Sequence, residues 1–182
     1  MPELADRPQP ATGRRGPKIV GFLCDWAVAS EGVVRDDGTM RDLPNVTLIK
    51  IPCSGFTRPA WLEFALRNGA DGVFVCGCPL GDCFNRYGNN LIGDRVEQLR
   101  RRLERQKVNP ERIGALFYGK HAGAAFVDAV RAFSERVAGM PGPAFPARKP
   151  APATTGQGPA ASTPGPAPQG GQSGAPAGRE GT

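Results

Sequence analysis

The sequence predicts an α/β fold, a small four-stranded, mostly parallel sheet with helices on both faces. Three observations predict it. Short apolar and β-branched runs alternate with amphipathic helical stretches. The apolar runs lack the strict alternation of a sheet with one wet face, so they read as strands covered on both sides. And 182 residues leave room for one hydrophobic core rather than two.

The first strand falls on residues 18–24 (KIVGFLC), an apolar run that stops at a turn-like segment. The second falls on residues 46–51 (VTLIKI), β-branched and bounded by Pro44 and Pro52. Between them residues 27–30 have some helical character, but Asp36, Asp37 and Gly38 interrupt it, so a loop or short helix is expected. A helix is expected over residues 59–68, opened by Pro59 and stopped by Gly69. The third strand is residues 72–76 (GVFVC). Helix 91–106 follows, with Ile92, Val96, Leu99 and Leu103 at helical spacing. Residues 113–118 (IGALFY) make the fourth strand, and helix 122–137 carries Ala122, Phe126, Val130, Phe133 and Val137 on one face. Strands alternating with helices imply βαβ crossovers and the doubly wound layering of flavodoxin-like and Rossmann-like sheets, whose reactive end is the carboxyl end of the strands.

Composition sets the domain limits. Residues 1–16 scatter Pro2, Pro8, Pro10 and Gly13 among charges without apolar periodicity, and read as a disordered extension. Residues 140–182 turn to Pro, Gly, Ala, Ser and Gln, with Phe145 the only large apolar side chain after Pro141, and read as a disordered tail. Residues 17–139 are the α/β domain.

No apolar stretch near the start suits a signal-peptide core, and no run of about 18 apolar residues suits a bilayer span, so a cytoplasmic protein without membrane insertion is expected. The formal charge of +6 is concentrated at Arg95, Arg100, Arg101, Arg102, Arg105 and Lys107. Asp94, Glu97 and Glu104 interleave with these bases, which favours a solvated face or a docking surface for an acidic protein over nucleic acid.

Five cysteines in a chain with no export signal read as ligands or redox groups, because the cytosol keeps ordinary thiols reduced. Cys24 ends the first expected strand, Cys53 follows the second, and Cys76, Cys78 and Cys83 end the third or occupy the loop beyond it. All lie at one end of the sheet. Gly55, Gly77 and Gly81 beside them permit close approach to a bound group, and amides from Ser54, Gly55, Gly77, Gly81 and Asp82 suit an anionic one. A [2Fe–2S] cluster, a structural zinc ion and a redox thiol pair all remain open on spacing. Zinc is disfavoured, because four residues separate Cys78 from Cys83 and the chain has a single histidine, His121.

The chain resembles the delta (iron–sulfur) subunit of methyl-viologen-reducing hydrogenase. The resemblance spans residues 18–137. It rests on Gly21, Phe22, Cys24 and Trp26; on Cys53-Ser54-Gly55 and Pro59; on Gly69-Ala70-Asp71-Gly72-Val73; on Gly77-Cys78-x-x-Gly81-Asp82-Cys83 followed by Gly88-Asn89; and on Pro110-Glu111-Arg112. It implies one [2Fe–2S] cluster held by Cys24, Cys53, Cys78 and Cys83, and electron transfer without catalysis by this chain alone. It also implies partners: a heterodisulfide-reductase A-like flavin and iron–sulfur subunit, and hydrogenase, formate or other dehydrogenase subunits. Cys76 stands where that family has a small or aliphatic residue and is assigned a structural role. The family commonly has further cysteines where this chain has Leu23 and Ala27, a His-Pro pair where it has Pro79-Leu80, and a His-Tyr pair where it has Phe84-Asn85.

Other conspicuous residues receive plainer readings. Trp26 is assigned to packing around the site, His121 to a solvated turn, and Asp82 to capping a helix or bonding the loop, since a carboxylate against an anionic cluster is repelled.

Overall fold

A computed structural model describes residues 16–146. The extensions expected at residues 1–15 and from 147 onward lie outside the described residues. The described part has four strands, β1 (Ile19–Cys24), β2 (Val46–Ile51), β3 (Gly72–Gly77) and β4 (Ile113–Phe117). Three helices accompany them: α1 (Pro59–Arg67), α2 (Gly88–Arg105) and α3 (Gly123–Ala138). Two short 3₁₀ turns, Ser54–Phe56 and Pro110–Arg112, complete the set. The sheet is wholly parallel in the order β2-β1-β3-β4, so the α/β class holds.

Each element follows from local chemistry. Pro59 opens α1 with its fixed φ, and Gly69, at φ +90, lets the chain turn out after it. Helix α2 starts three residues earlier than the apolar spacing predicts, at Gly88, because Gly88 and Asn89 are themselves buried against the cysteine loops. Asn109 accepts a bond from the Glu111 amide at 2.9 Å and sets the 3₁₀ turn that leads into β4.

Two apolar layers sandwich the sheet. On one face Leu62 and Leu66 of α1 and Ile92, Val96, Leu99 and Leu103 of α2 pack on Phe22, Val73, Val75 and Ile113. On the other, Phe126, Val130, Phe133 and Val137 of α3 pack on Ile19, Leu23, Val46 and Phe74. Each large side chain so buried contributes roughly 1.5–3 kcal/mol. The second face is completed by the β1–β2 connection, which is a loop. There Val34 and Met40 form an antiparallel bridge, Gly38 turns at φ +82, and Ala27, Val28 and Met40 fill the layer where a helix would lie.

Two expectations need correction. Strand β2 is not covered on both faces: Thr47, Ile49 and Lys50 are exposed, as suits an edge strand whose sequence alternates more than its β-branched content suggested. The basic stretch of α2 is also less available for docking than its charge suggests. Arg95 donates to the carbonyls of Gly55 (2.6 Å) and Thr57 (3.1 Å), Arg100 to that of Ile113, and Arg102 pairs with Glu63.

Packing continues past Gly139. Buried Arg112 donates to the carbonyls of Asp71 (2.8 Å), Pro141 (3.1 Å) and Gly142 (2.6 Å), and Phe145 lies beneath the Arg67 guanidinium at 4.1 Å. One buried cation thus holds residues 141–142 against the start of β3.

Candidate functional site

The strand order makes β1 and β3 neighbours while the chain leaves β1 toward β2 on one side and builds β3 and β4 on the other. Connections therefore depart from the β1/β3 pair to opposite faces, which opens a crevice at their carboxyl ends. Cysteines occupy that crevice. Leu23 pairs with Cys76 in the β1–β3 register, so Cys24 lies level with Gly77, one residue short of Cys78. Cys53 enters from the end of β2, and Cys83 from the loop between β3 and α2.

Gly88, the first residue of α2, joins two of these segments. A Cβ there would lie 2.6 Å from Cys53 Sγ and 3.4 Å from Cys83 Sγ, so both sulfurs rest on one bare Cα. Gly55 has the same requirement, since its Cβ would meet Gly88 Cα at 2.6 Å. Gly77 is demanded by a third contact, with Ser54 Oγ 2.7 Å from its missing Cβ. Only Gly81, at φ +86, is needed for its backbone conformation.

Hydrogen bonds fix the loops around the thiols. Asn89 is fully buried and donates through Nδ2 to the carbonyls of Pro79 (2.6 Å) and Cys78 (3.4 Å). Arg95 ties down the turn after Cys53 through Gly55 and Thr57. Neither Asn89 nor Arg95 belongs to the ligand set read from sequence, and an isolated buried polar residue gives little sequence signal beyond the Gly88-Asn89 pairing.

Two of the thiols are held neutral by their surroundings. Burial pushes the Cys78 thiol up to about 11, the Phe84 amide bonding to it pulls the other way, and neighbouring Cys24 and Cys83 add to the rise. Cys76 is raised too, by burial and then by Cys24. Its thiol points at the Gly77 carbonyl at 3.9 Å. Cys24, Cys76 and Cys78 are buried, whereas Cys53 and Cys83 are half-buried. Among the described residues no three His, Cys, Asp or Glu side chains are gathered closely enough to share one metal ion.

The plainer assignments divide. Trp26 packs as expected, stacked on Phe84 with ring centroids 3.5 Å apart and Lys120 Nζ 5.0 Å from its ring. His121 is exposed, and it lines with Trp26, Cys78, Phe84 and Lys120 an open cleft of about 670 Å³. Asp82 caps no helix: α2 begins six residues later, with Tyr87 at its cap position, and the Asp82 amide instead closes a turn onto the Pro79 carbonyl at 3.0 Å.

Residues 19–140 match the family model described as the delta subunit of methyl-viologen-reducing hydrogenase. The chain belongs to this family. Its relatives include the vhc iron–sulfur subunit of the F420-non-reducing hydrogenase of Methanococcus voltae, 33% identical over 68% of this chain and 86% of that protein. The iron–sulfur subunit of the F420-non-reducing hydrogenase of Archaeoglobus profundus is 31% identical over 66% of this chain and 88% of its own length. The same stretch is 29% identical to 15% of a much longer protein, one of the subunits of the ferredoxin/F420H2-dependent CoB-CoM heterodisulfide reductase of Methanosarcina acetivorans.

Within this delta-subunit domain, Leu23 and Ala27 are apolar core positions, 1% and 0% exposed and packed in the α3-side layer. Phe84 completes the stack on Trp26. The remaining residues fit an iron–sulfur group on three counts. The donors at the crevice are thiols alone. Gly55, Gly77 and Gly88 keep the crevice free of side chains where the cysteine segments meet. And Ser54 Oγ and Thr57 Oγ1 are buried there with no hydrogen-bond partner among the described residues, hydroxyl donors left for an acceptor.

Proposed function

We propose that this chain is an electron-transfer subunit carrying one [2Fe–2S] cluster on Cys24, Cys53, Cys78 and Cys83. In this reading it takes electrons from a hydrogenase or other dehydrogenase partner and passes them to a heterodisulfide-reductase A-like flavin and iron–sulfur protein. The observation that carries the reading is the shared seat of Cys53 and Cys83 on Gly88, beside Cys24 and Cys78 in the β1/β3 crevice. Names borne by relatives support the rest: two are iron–sulfur subunits of hydrogenases, and a third contains the same stretch within a heterodisulfide reductase.

When bound, such a cluster supplies a one-electron couple. The protein's residues do the remainder. Four thiols lose their protons to become ligands, and burial of Cys24 and Cys78 excludes water from the inner side of the crevice. Cys53 and Cys83, the half-buried pair, form the side nearest solvent, through which an electron enters or leaves. Asn89 and Arg95 hold the two cysteine loops in register, so the site changes little in shape as its charge changes.

The test is an anaerobic absorption and electron paramagnetic resonance spectrum of protein reconstituted with iron and sulfide, both counted, beside Cys78→Ala. About two irons and two sulfides per chain, with a reducible signal that the variant lacks, is the expected result. A folded protein that retains no iron would overturn it and leave a docking module or a thiol or zinc protein.

A further inference from the structure

We propose that the Ser54 hydroxyl is a hydrogen-bond donor to the sulfur of the iron–sulfur group and sets its reduction potential. The inference rests on the reading above and extends it from the ligands to a residue beside them. Ser54 is 1% exposed, and its Oγ has no hydrogen-bond partner among the described residues. Buried hydroxyls are nearly always partnered, and one left without costs roughly 1–3 kcal/mol. Its position says what the partner is. Ser54 directly follows Cys53, and its Oγ rests 2.7 Å from the absent Cβ of Gly77, which directly precedes Cys78. The hydroxyl is thus wedged between two segments that bear proposed ligands, at a point kept open by a glycine. Thiolates and bridging sulfides are the acceptors such a place would present once a group is bound.

A donor to these sulfurs stabilises the reduced state more than the oxidised one, because the reduced cluster carries one more negative charge. Removing it favours the oxidised form and lowers the potential. A tenfold change in the balance between the two forms is about 59 mV for a one-electron couple.

The experiment compares Ser54→Ala with the unaltered full chain in two states. In the reconstituted proteins, potentiometric titration followed by paramagnetic resonance should place the variant lower, by up to about tenfold in that balance. Pulsed resonance in D2O should show one exchangeable deuteron coupling lost in the variant. In the unloaded proteins the variant should melt at the same temperature or higher, since an unpartnered hydroxyl has been removed.

Equal potentials and equal deuteron couplings in two loaded proteins overturn the proposal while leaving the relay intact. A lower melting temperature of the unloaded variant also overturns it, because the hydroxyl then has a protein partner. Failure of the unaltered chain to hold iron and sulfide overturns the relay, and this proposal with it.

Discussion

Gly88→Ala separates the site from the fold that carries it. The new Cβ would lie 2.6 Å from Cys53 Sγ, 3.3 Å from the Gly55 nitrogen and 3.4 Å from Cys83 Sγ. Ordinary heavy-atom contacts lie at about 3.5–4.0 Å, so Cys53 must retreat by about 1 Å. Overpacking of this kind costs about 1–3 kcal/mol, offset by roughly 0.5–1 kcal/mol because alanine favours the helix more than glycine. The fold should therefore survive, losing about 0–2.5 kcal/mol and melting several degrees lower. The donor set should not survive so well. Metal–ligand distances tolerate about 0.2 Å, and a displacement of about 1 Å in one ligand exceeds that severalfold. The assay is iron and sulfide content with the absorption spectrum after reconstitution, beside thermal melting. Gly93→Ala on the same helix is the control, because its Cβ would meet only Phe117 at an ordinary 3.7 Å. It should gain roughly 0.5–1 kcal/mol and load fully. If Gly88→Ala holds as much iron as the unaltered chain with an unchanged spectrum, the shared seat of Cys53 and Cys83 does not constrain the ligands and the reasoning fails.

Arg112→Ala removes the donor to three carbonyls, including those of Pro141 and Gly142, so it should cost about 2–4 kcal/mol. Hydrogen exchange should show faster exchange around residues 140–146, and unchanged exchange there would refute the role given to this cation. In the unloaded protein, Cys78 titrates near 11 when folded against 9.0 ordinarily. Below the ordinary value of 9.0 both states hold the proton, whereas between 9.0 and about 11 only the folded state does. Stability must then fall with rising pH, by up to about 1.4 kcal/mol per pH unit for this group. Urea unfolding across that range should show the fall, with a shallower slope in Cys78→Ala; equal slopes would contradict it.

Much of this arrangement was legible in the sequence. Strand and helix identities came from period and from punctuation such as Pro52, Pro59 and Gly69, and the placement of every cysteine at strand carboxyl ends followed from them. What was hidden depended on contacts between segments distant in sequence. Helix α2 could not be started at Gly88 from its apolar spacing, because what buries Gly88 and Asn89 is the Cys53 turn and the Cys78 loop. The arginines of α2 read as a charged surface, since no local pattern tells that Arg95 reaches back to Gly55 and Thr57. Arg112 read as part of a motif, and its hold on residues 141–142 spans 29 and 30 positions.

The glycines show why position in a motif and physical role must be kept apart. Gly77 and Gly81 frame Cys78 in one short run, yet Gly81 answers to a positive φ and Gly77 to the Ser54 side chain. Gly55 and Gly88 answer to each other, and Gly88 also to two sulfurs. Three of the four thus leave side-chain space empty between cysteine-bearing segments, and the fourth turns the loop that returns Cys83 to them. A core that merely needed small residues there would tolerate alanine. A contact of 2.6 Å between a missing Cβ and a sulfur does not, and that steric demand ties the β2 end, the β3 loop and the start of α2 into one site.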